Sequence, residues 1–433
     1  MADFHLARHD LRATFAYRDG CALSAADFLR DVAALAQALP ERRYVINLCA
    51  DRYRFTVGFA AALLRRQTTL MPPNHTADFL ARLEQRYPDA VRLTDAAFDA
   101  LPAGAPASGM PAVARDHVAA ILFTSGSTGE PQPHAKRWGA LVHSARAELE
   151  RFAGLLQPGM ALLATVPAQH MFGLESTVLL ALQGAAALHA GRPFFPADVC
   201  AKLEALPRPR ALITTPVHLR ALLDGEGELP PADFLLCATA PLSPQLAAEA
   251  EARFRAPLHE IYGCTEAGQI ASRRTVASLE WHMFGHFRAR QDEKGTWITG
   301  GHLADELLLG DVIELTEAGR FLLHGRTGDL VNVAGKRTSL ASLNYHLNSI
   351  AGVRDGTFVI PRDAGDAVAR LSAFVVAPGC TEEYLLNALR QRIDAAFLPR
   401  PLHLVDELPR NAVGKLPRLA MDSLSERLSA KAG

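Results

Sequence analysis

The chain has 433 residues, 49% hydrophobic and 21% charged, which is long enough for more than one core and ordinary for a globular protein. Lys plus Arg number 45 against 46 Asp plus Glu, a formal net charge of −1, so no general electrostatic drive toward nucleic acid or an anionic membrane exists. The six cysteines are scattered with no CxxC pair and read as thiols in a reducing compartment, not as a disulfide frame or zinc site.

The N-terminal stretch MADFHLARHD lacks an apolar h-region, and the greasiest run, STVLLALQGAAALHA, is interrupted by Gln183 and Gly184. Neither a signal peptide nor a membrane span is expected, and the expected location is cytoplasmic. SAADFLRDVAALAQAL sets Phe28, Val32, Leu35 and Leu39 on one helical face, with Ser24 three residues before Asp27 as a start signal. YVINLC then reads as a buried strand and ADFLARLEQRY as a second amphipathic helix. The Pro/Ala/Gly-rich LPAGAPASGMPAVA is a loop. Short apolar runs follow: VAAILFT, MALLATV, ALHA, ALITT, FLLCAT and LHEIYG, most separated by helical patterns such as PQLAAEAEARF. This alternation predicts an α/β fold with doubly wound, mostly parallel sheets. Sites in such sheets lie at the carboxyl ends of the strands.

The texture changes after about residue 280. GTWITG, DVIEL and GRFLLHG read as hairpin strands, giving a β-rich subdomain. Beyond GRTGDLVNVAGKR comes a compact α+β tail with a helix (ASLNYHLNSI), strands (GTFVI, ARLSAFVVA), a helix (EEYLLNALRQRIDAAF) and a strand (LHLVDEL). A boundary at Gly328 divides the chain into domains 1–327 and 328–433.

The run FTSGSTGEPQPHAK, from Phe123 to Lys136, carries the first chemical signal. It fails the P-loop template, because Gly126 and Gly129 are too close, no lysine follows, and Pro131 and Pro133 forbid an immediate helix. What remains is a strand end delivering Thr124, Ser125, Ser127 and Thr128, with two glycines that let the backbone fold closely around an anion.

SGSTGEP resembles the Thr/Ser-Ser-Gly-Thr/Ser-Thr-Gly-x-Pro loop of the adenylate-forming (AMP-binding) superfamily, which includes acyl- and aryl-CoA synthetases. Four further stretches resemble that superfamily in the same order: VPAQHMFGLE, IYGCTEAG, LGDVIEL with GRTGDLVNVAGKR, and LPRNAVGKLPR. The resemblance implies ATP-dependent activation of a carboxylic acid, aromatic or medium-chain, to acyl-AMP with release of pyrophosphate. The acyl group then passes to the phosphopantetheine thiol of CoA or of an acyl carrier protein. It also implies that the small C-terminal domain rotates between the two half-reactions.

By the same resemblance, Lys415 meets the carboxylate and α-phosphate, Thr265 the α-phosphate, and Glu266 holds Mg2+, a metal that prefers oxygen ligands shared with phosphates. The phosphate loop is Thr124, Ser125, Gly126, Ser127, Thr128 and Gly129. Tyr262 with Gly263 lies against one side of adenine, and Thr239, Ala240 and Pro241 against the other. Asp311 accepts from the ribose hydroxyls and Arg326 adds a second ribose contact. His170 gates the acyl pocket, whose walls are Phe172, Thr215, Val217, Thr239 and Cys264. Gly328 is the pivot and Gly335 lines the thiol tunnel.

Two departures stand out. Gln132 occupies the position of the family's usual loop lysine, leaving Lys136 or Arg137 as the nearby sources of positive charge. The chain is also shorter than typical relatives, a trait resembling a small subgroup of carrier-protein ligases of aryl-polyene-type pathways. A non-catalytic homologue that only binds the nucleotide is the alternative reading.

Overall fold

The computed structural model describes residues 3–101, 104, 109–125, 131–225, 227–317, 319–326, 329–333, 336–360, 371–410, 416 and 418–432. Two large sheets organise the first three quarters of the chain. In a five-stranded sheet, Ala90–Leu93, Tyr44–Asn47, Thr68–Met71 and Val118–Ser125 run parallel, and Pro131–Arg137 closes one edge antiparallel. Pro131 and Pro133, which lack an N–H, are tolerated in that edge strand. The two strands on either side of residues 126–130 therefore pair, with Phe123 opposite Pro133 and Thr124 opposite Gln132.

The second sheet has eleven strands. Its parallel half contains Thr14–Arg18, Ala187–His189, Ala161–Ala164, Arg210–Thr214, Phe234–Cys237 and Leu258–Cys264. From Leu258–Cys264 onward the pairing turns antiparallel, through Gly268–Arg273, Trp281–Met283, Arg320–Arg326 and Asp311–Leu315. A separate three-stranded sheet, Phe287–Asp292, Gly295–Gly300 and Leu307–Leu308, supplies the rest of the β-rich part. The α/β class and its change of texture near residue 280 are thus as the sequence predicts.

Helix Ala25–Ala38 starts as expected: Ser24 accepts from the Asp27 N–H, and Asp27 accepts from the Ser24 N–H, a reciprocal cap. Helix Arg52–Leu64 gave no periodic signal, because nearly every residue in it is buried, so no single apolar stripe exists. It carries Arg52 into the core between the two sheets, 2% exposed. Its guanidinium donates to Thr177 Oγ1 at 2.8 Å and to the carbonyls of Ala164 (3.3 Å) and Val166 (2.6 Å). A charge this deep is tolerated only when most of its donors are met; the two terminal nitrogens pin the carboxyl end of a central strand, while Nε is buried without a partner.

The C-terminal part has its own smaller core, in which Leu343, Leu347, Phe358, Val375, Leu385, Leu389 and Phe397 pack together. It contains the hairpin Leu330–Val333/Lys336–Ser339 and a three-stranded sheet of Asp355–Val359, Ser372–Val376 and Leu402–Leu404. The stretch predicted as one helix from Glu382 to Phe397 stops at Arg390. Asp394 then caps a short 3-10 turn, accepting from the Ala396 N–H at 3.0 Å. A closing helix, Arg418–Ala432, has too weak an amphipathic stripe to be seen in the sequence. No helix among the described residues is long and apolar enough to cross a membrane.

Candidate active site

The parallel strands of the large sheet end side by side, and the segments singled out from the sequence follow those ends. Ala161–Ala164 leads to His170, Arg210–Thr214 to Thr215, Phe234–Cys237 to Thr239, and Leu258–Cys264 to Thr265 and Glu266. In the first segment, His170 caps a helical turn of Met171–Gly173, its carbonyl accepting from the Leu174 N–H at 2.7 Å. Gly173 is required there because a Cβ would run into the Pro167 carbonyl. Phe172 and Cys264, both part-buried, pack against one core cluster. Burial pushes the Cys264 thiol up to about 12, so it is a neutral wall and not a nucleophile.

Val217 is half-buried, in the first turn of helix Pro216–Leu223. Thr215 is only 1% exposed, and its hydroxyl caps that helix and meets His218 Nδ1 at 2.9 Å. Thr239 is exposed and sits at φ 85°, a region where a β-branched residue is an outlier and glycine is at ease. Ala240 and Pro241 follow it at the surface end of the strand.

Residues Thr265 to Ala267 form the turn of a hairpin between Leu258–Cys264 and Gly268–Arg273, with Cys264 opposite Gly268. Gly268 lies at φ 78°, and a Cβ on it would come 2.5 Å from Glu175 Oε1. The turn is held by two donors and flanked by a third side chain. Lys136 Nζ donates to the Glu266 carbonyl at 2.6 Å. His302 Nε2 donates to the Ala267 carbonyl. His134 Nε2 lies 3.6 Å from the Glu266 carboxylate and 2.9 Å from Thr124 Oγ1. The Glu266 side chain remains 40% exposed, which leaves carboxylate oxygen for a hard cation. Among the described residues no group of three His, Cys, Asp or Glu could hold a metal, so a metal here would share its coordination with the nucleotide's oxygens.

On the far side of the turn, the Tyr262 hydroxyl donates to Asp311 Oδ2 at 2.7 Å, and its ring packs on Phe321 and Trp281. Asp311 stands opposite Arg326 in the antiparallel ladder. The expected ribose pair and adenine wall are therefore neighbours, although 49 residues separate Tyr262 from Asp311. Gly263 is exposed beside them.

Several expected site residues fall outside the described residues: Gly126, Ser127, Thr128, Gly129, Gly328, Gly335 and Lys415, together with the side chains of Ser125 and Arg326. Of the two alternative cations near Gln132, Arg137 turns outward and donates to the Asp116 carbonyl at 3.0 Å. Lys136 turns inward, 8% exposed, onto the Glu266 turn. Sequence reasoning missed His134, His302 and Glu175. Strand alternation in PQPHAKR could have placed His134 and Lys136 on one face; nothing local marks His302 or Glu175.

Comparison with known proteins places this geometry. Residues 35–290, more than half of the chain, match the family described as AMP-binding enzyme. A 4-coumarate–CoA ligase of Rhodobacter capsulatus is 32% identical over 309 residues, covering 70% of this chain and 76% of that protein. A 3-hydroxybenzoate–CoA/4-hydroxybenzoate–CoA ligase of Thauera aromatica is 25% identical over 351 residues, 71% of this chain and 66% of its own. The fold matches that of ATP-bound MatB from Rhodopseudomonas palustris with a TM-score of 0.78 at 17% identity, over 97% of both chains. With its motifs in order, its strand ends gathered and its relatives named as CoA ligases, the chain belongs to the AMP-binding enzyme family, the adenylate-forming enzymes.

Proposed function

We propose that this enzyme, an adenylating ligase of the acyl- or aryl-CoA type, activates an aromatic or medium-chain carboxylic acid and passes it to the thiol of CoA or of a carrier protein's phosphopantetheine. Aromatic acids come first, since relatives are named for coumarate and hydroxybenzoates. The observation that carries the reading is the gathering of Glu266, Thr265, Tyr262 and Asp311: Glu266, next to Thr265, lies within hydrogen-bonding reach of the Pro131–Arg137 strand, and Tyr262 of Asp311.

The chemistry is a displacement. A carboxylate oxygen bonds to the α-phosphorus of ATP, and the bond from that phosphorus to the bridging oxygen of pyrophosphate breaks. Both reactants are anionic, so positive charge placed in advance lowers the barrier. Mg2+, when bound, neutralises phosphate oxygens, and Glu266 offers the protein ligand. Tyr262 and Asp311 orient the nucleoside, and Thr265 faces the α-phosphate. His170 screens the acyl pocket lined by Phe172, Val217, Thr239 and Cys264. Lys415 supplies the cation between the two anions. Domains divide at Gly328, about which the smaller one turns to bring Gly335 to the thiol path for the second half-reaction.

Incubation with Mg·ATP, a panel of aryl and fatty acids, and hydroxylamine tests the reading. Hydroxamate with pyrophosphate release supports it, whereas silence across the panel favours a nucleotide-binding homologue without turnover. Lys415→Ala is expected to slow adenylation by roughly 10²–10³ while sparing thioester formation from supplied acyl-AMP. Equal loss of both halves would contradict the rotation.

A further inference from the structure

The family's usual loop lysine is absent, and the nearest inward-facing cation stands four residues further along the strand. Gln132, His134 and Lys136 share one face of Pro131–Arg137, and the last two both reach the Glu266 turn. Lys136 is buried, and desolvation lowers the pKa of its ammonium against the opposing pull of Glu175 and Glu266. Glu175 is itself 2% exposed, accepts from Ser144 Oγ at 2.5 Å and abuts Gly268, the residue that ends the turn. A buried ammonium whose partner is a backbone carbonyl is an expensive arrangement. A neutral side chain would pack there more simply, unless the charge or its donor fixes something.

We propose that Lys136 is a positioning residue for Mg·ATP: by holding the Glu266 carbonyl while His134 flanks the Glu266 carboxylate, it sets the direction in which that carboxylate meets the metal and couples the turn to the Pro131–Arg137 strand. This rests on the assignment of Glu266 as the metal-binding residue above. The strand and the turn are distant in sequence, 130 residues apart between Lys136 and Glu266. His302, on the neighbouring carbonyl of Ala267, is the second hold on the same backbone. Outer partners of this kind orient a ligand without touching the metal, and their loss weakens metal binding on the order of 10–100-fold.

The test is calorimetric titration of the full chain with Mg·ATP at several Mg2+ concentrations, for wild type and Lys136→Met, with urea unfolding as a check on folding. Expected is a Mg2+ requirement raised on the order of 10–100-fold, nucleotide binding weakened at fixed Mg2+, and an unchanged KM for the acid in pyrophosphate exchange. Wild-type binding with an unaltered Mg2+ requirement in a folded Lys136→Met overturns the proposal and leaves the ligase reading intact. If wild type itself binds no Mg·ATP, the ligase reading falls and the proposal with it. Should Lys136→Met not fold, Lys136→Leu decides, since it also removes the donor to the Glu266 carbonyl while keeping an apolar stem: a raised Mg2+ requirement supports the proposal and an unchanged one overturns it.

Discussion

The body of the molecule and its C-terminal part solve the placement of charge in opposite ways. In the body, Arg52 and Lys136 are buried and donate to fixed partners, while the buried Glu148 and Glu175 carboxyls accept from Gln269 and Ser144. Between the body and the C-terminal part, charges lie nearer the surface. Arg220 Nη1 from the body reaches Asp355 Oδ1 at 3.2 Å, and Asp355 also receives a two-pronged contact from Arg410. Gln245 donates to the Ser349 carbonyl at 3.1 Å, and Arg354 lies 4.0 Å from Asp224. Buried charges with fixed partners make one arrangement costly to leave. Of the contacts between the two parts, the Arg354–Asp224 pair is half-exposed and can be exchanged for water at little cost, which would suit the rotation proposed above.

The largest expected effect breaks the rigid side of this comparison. Arg52→Ala leaves the Ala164 and Val166 carbonyls and the Thr177 hydroxyl without their donor, and a loss of about 3–5 kcal/mol is expected in urea unfolding. The His170 segment follows the Ala164 strand end, so acid activation falls as well. A loss below about 1 kcal/mol would mean that water replaces the guanidinium and that the body is less tightly built than described.

A second effect is visible in pH. Burial pushes Glu148 from 4.5 up to about 8, and Glu175 from 4.5 up to about 7. Both raised carboxyls bind more protons folded than unfolded. The stability they contribute is therefore complete below 4.5 and lost as pH rises through the folded values, with a slope of at most about 1.4 kcal/mol per pH unit for each group. Glu148→Gln should remove part of the decline between pH 5 and 8 in denaturant midpoints. An unchanged slope would place the titration elsewhere.

The smallest effect on stability is expected at the joint. Arg354→Gln removes only the exposed contact to Asp224, so unfolding should shift by less than about 1 kcal/mol. The ratio of adenylation to thioester formation, measured separately, should nonetheless change. A large stability loss with an unaltered ratio would make this contact part of one rigid structure and not an exchangeable one.

Much of the site was legible in the sequence because its parts are local. A strand followed by hydroxyls and glycines, Thr265 next to Glu266, and Asp311 at a strand start are short-range patterns. The helix Ala25–Ala38 was equally plain, since one apolar face and a capping pair mark it. Arg52–Leu64 was not, because burial on all sides erases the periodicity that a pattern search needs. The conformation of Thr239 was equally hidden: it takes a left-handed backbone just beyond a central strand, against the residue's own preference.

What the sequence by itself determined was the α/β class, the order of the motifs and the residue types required by phosphate and carboxylate chemistry. These depend on neighbours within a few positions and on the alternation of apolar runs. Only the tertiary structure decided that Lys136 faces inward and Arg137 outward, that Tyr262 meets Asp311, and that His302 holds the Glu266 turn while His134 flanks it. Each of these contacts joins segments far apart in the chain or depends on which face of a strand looks into the core. Sheet order and packing alone set them.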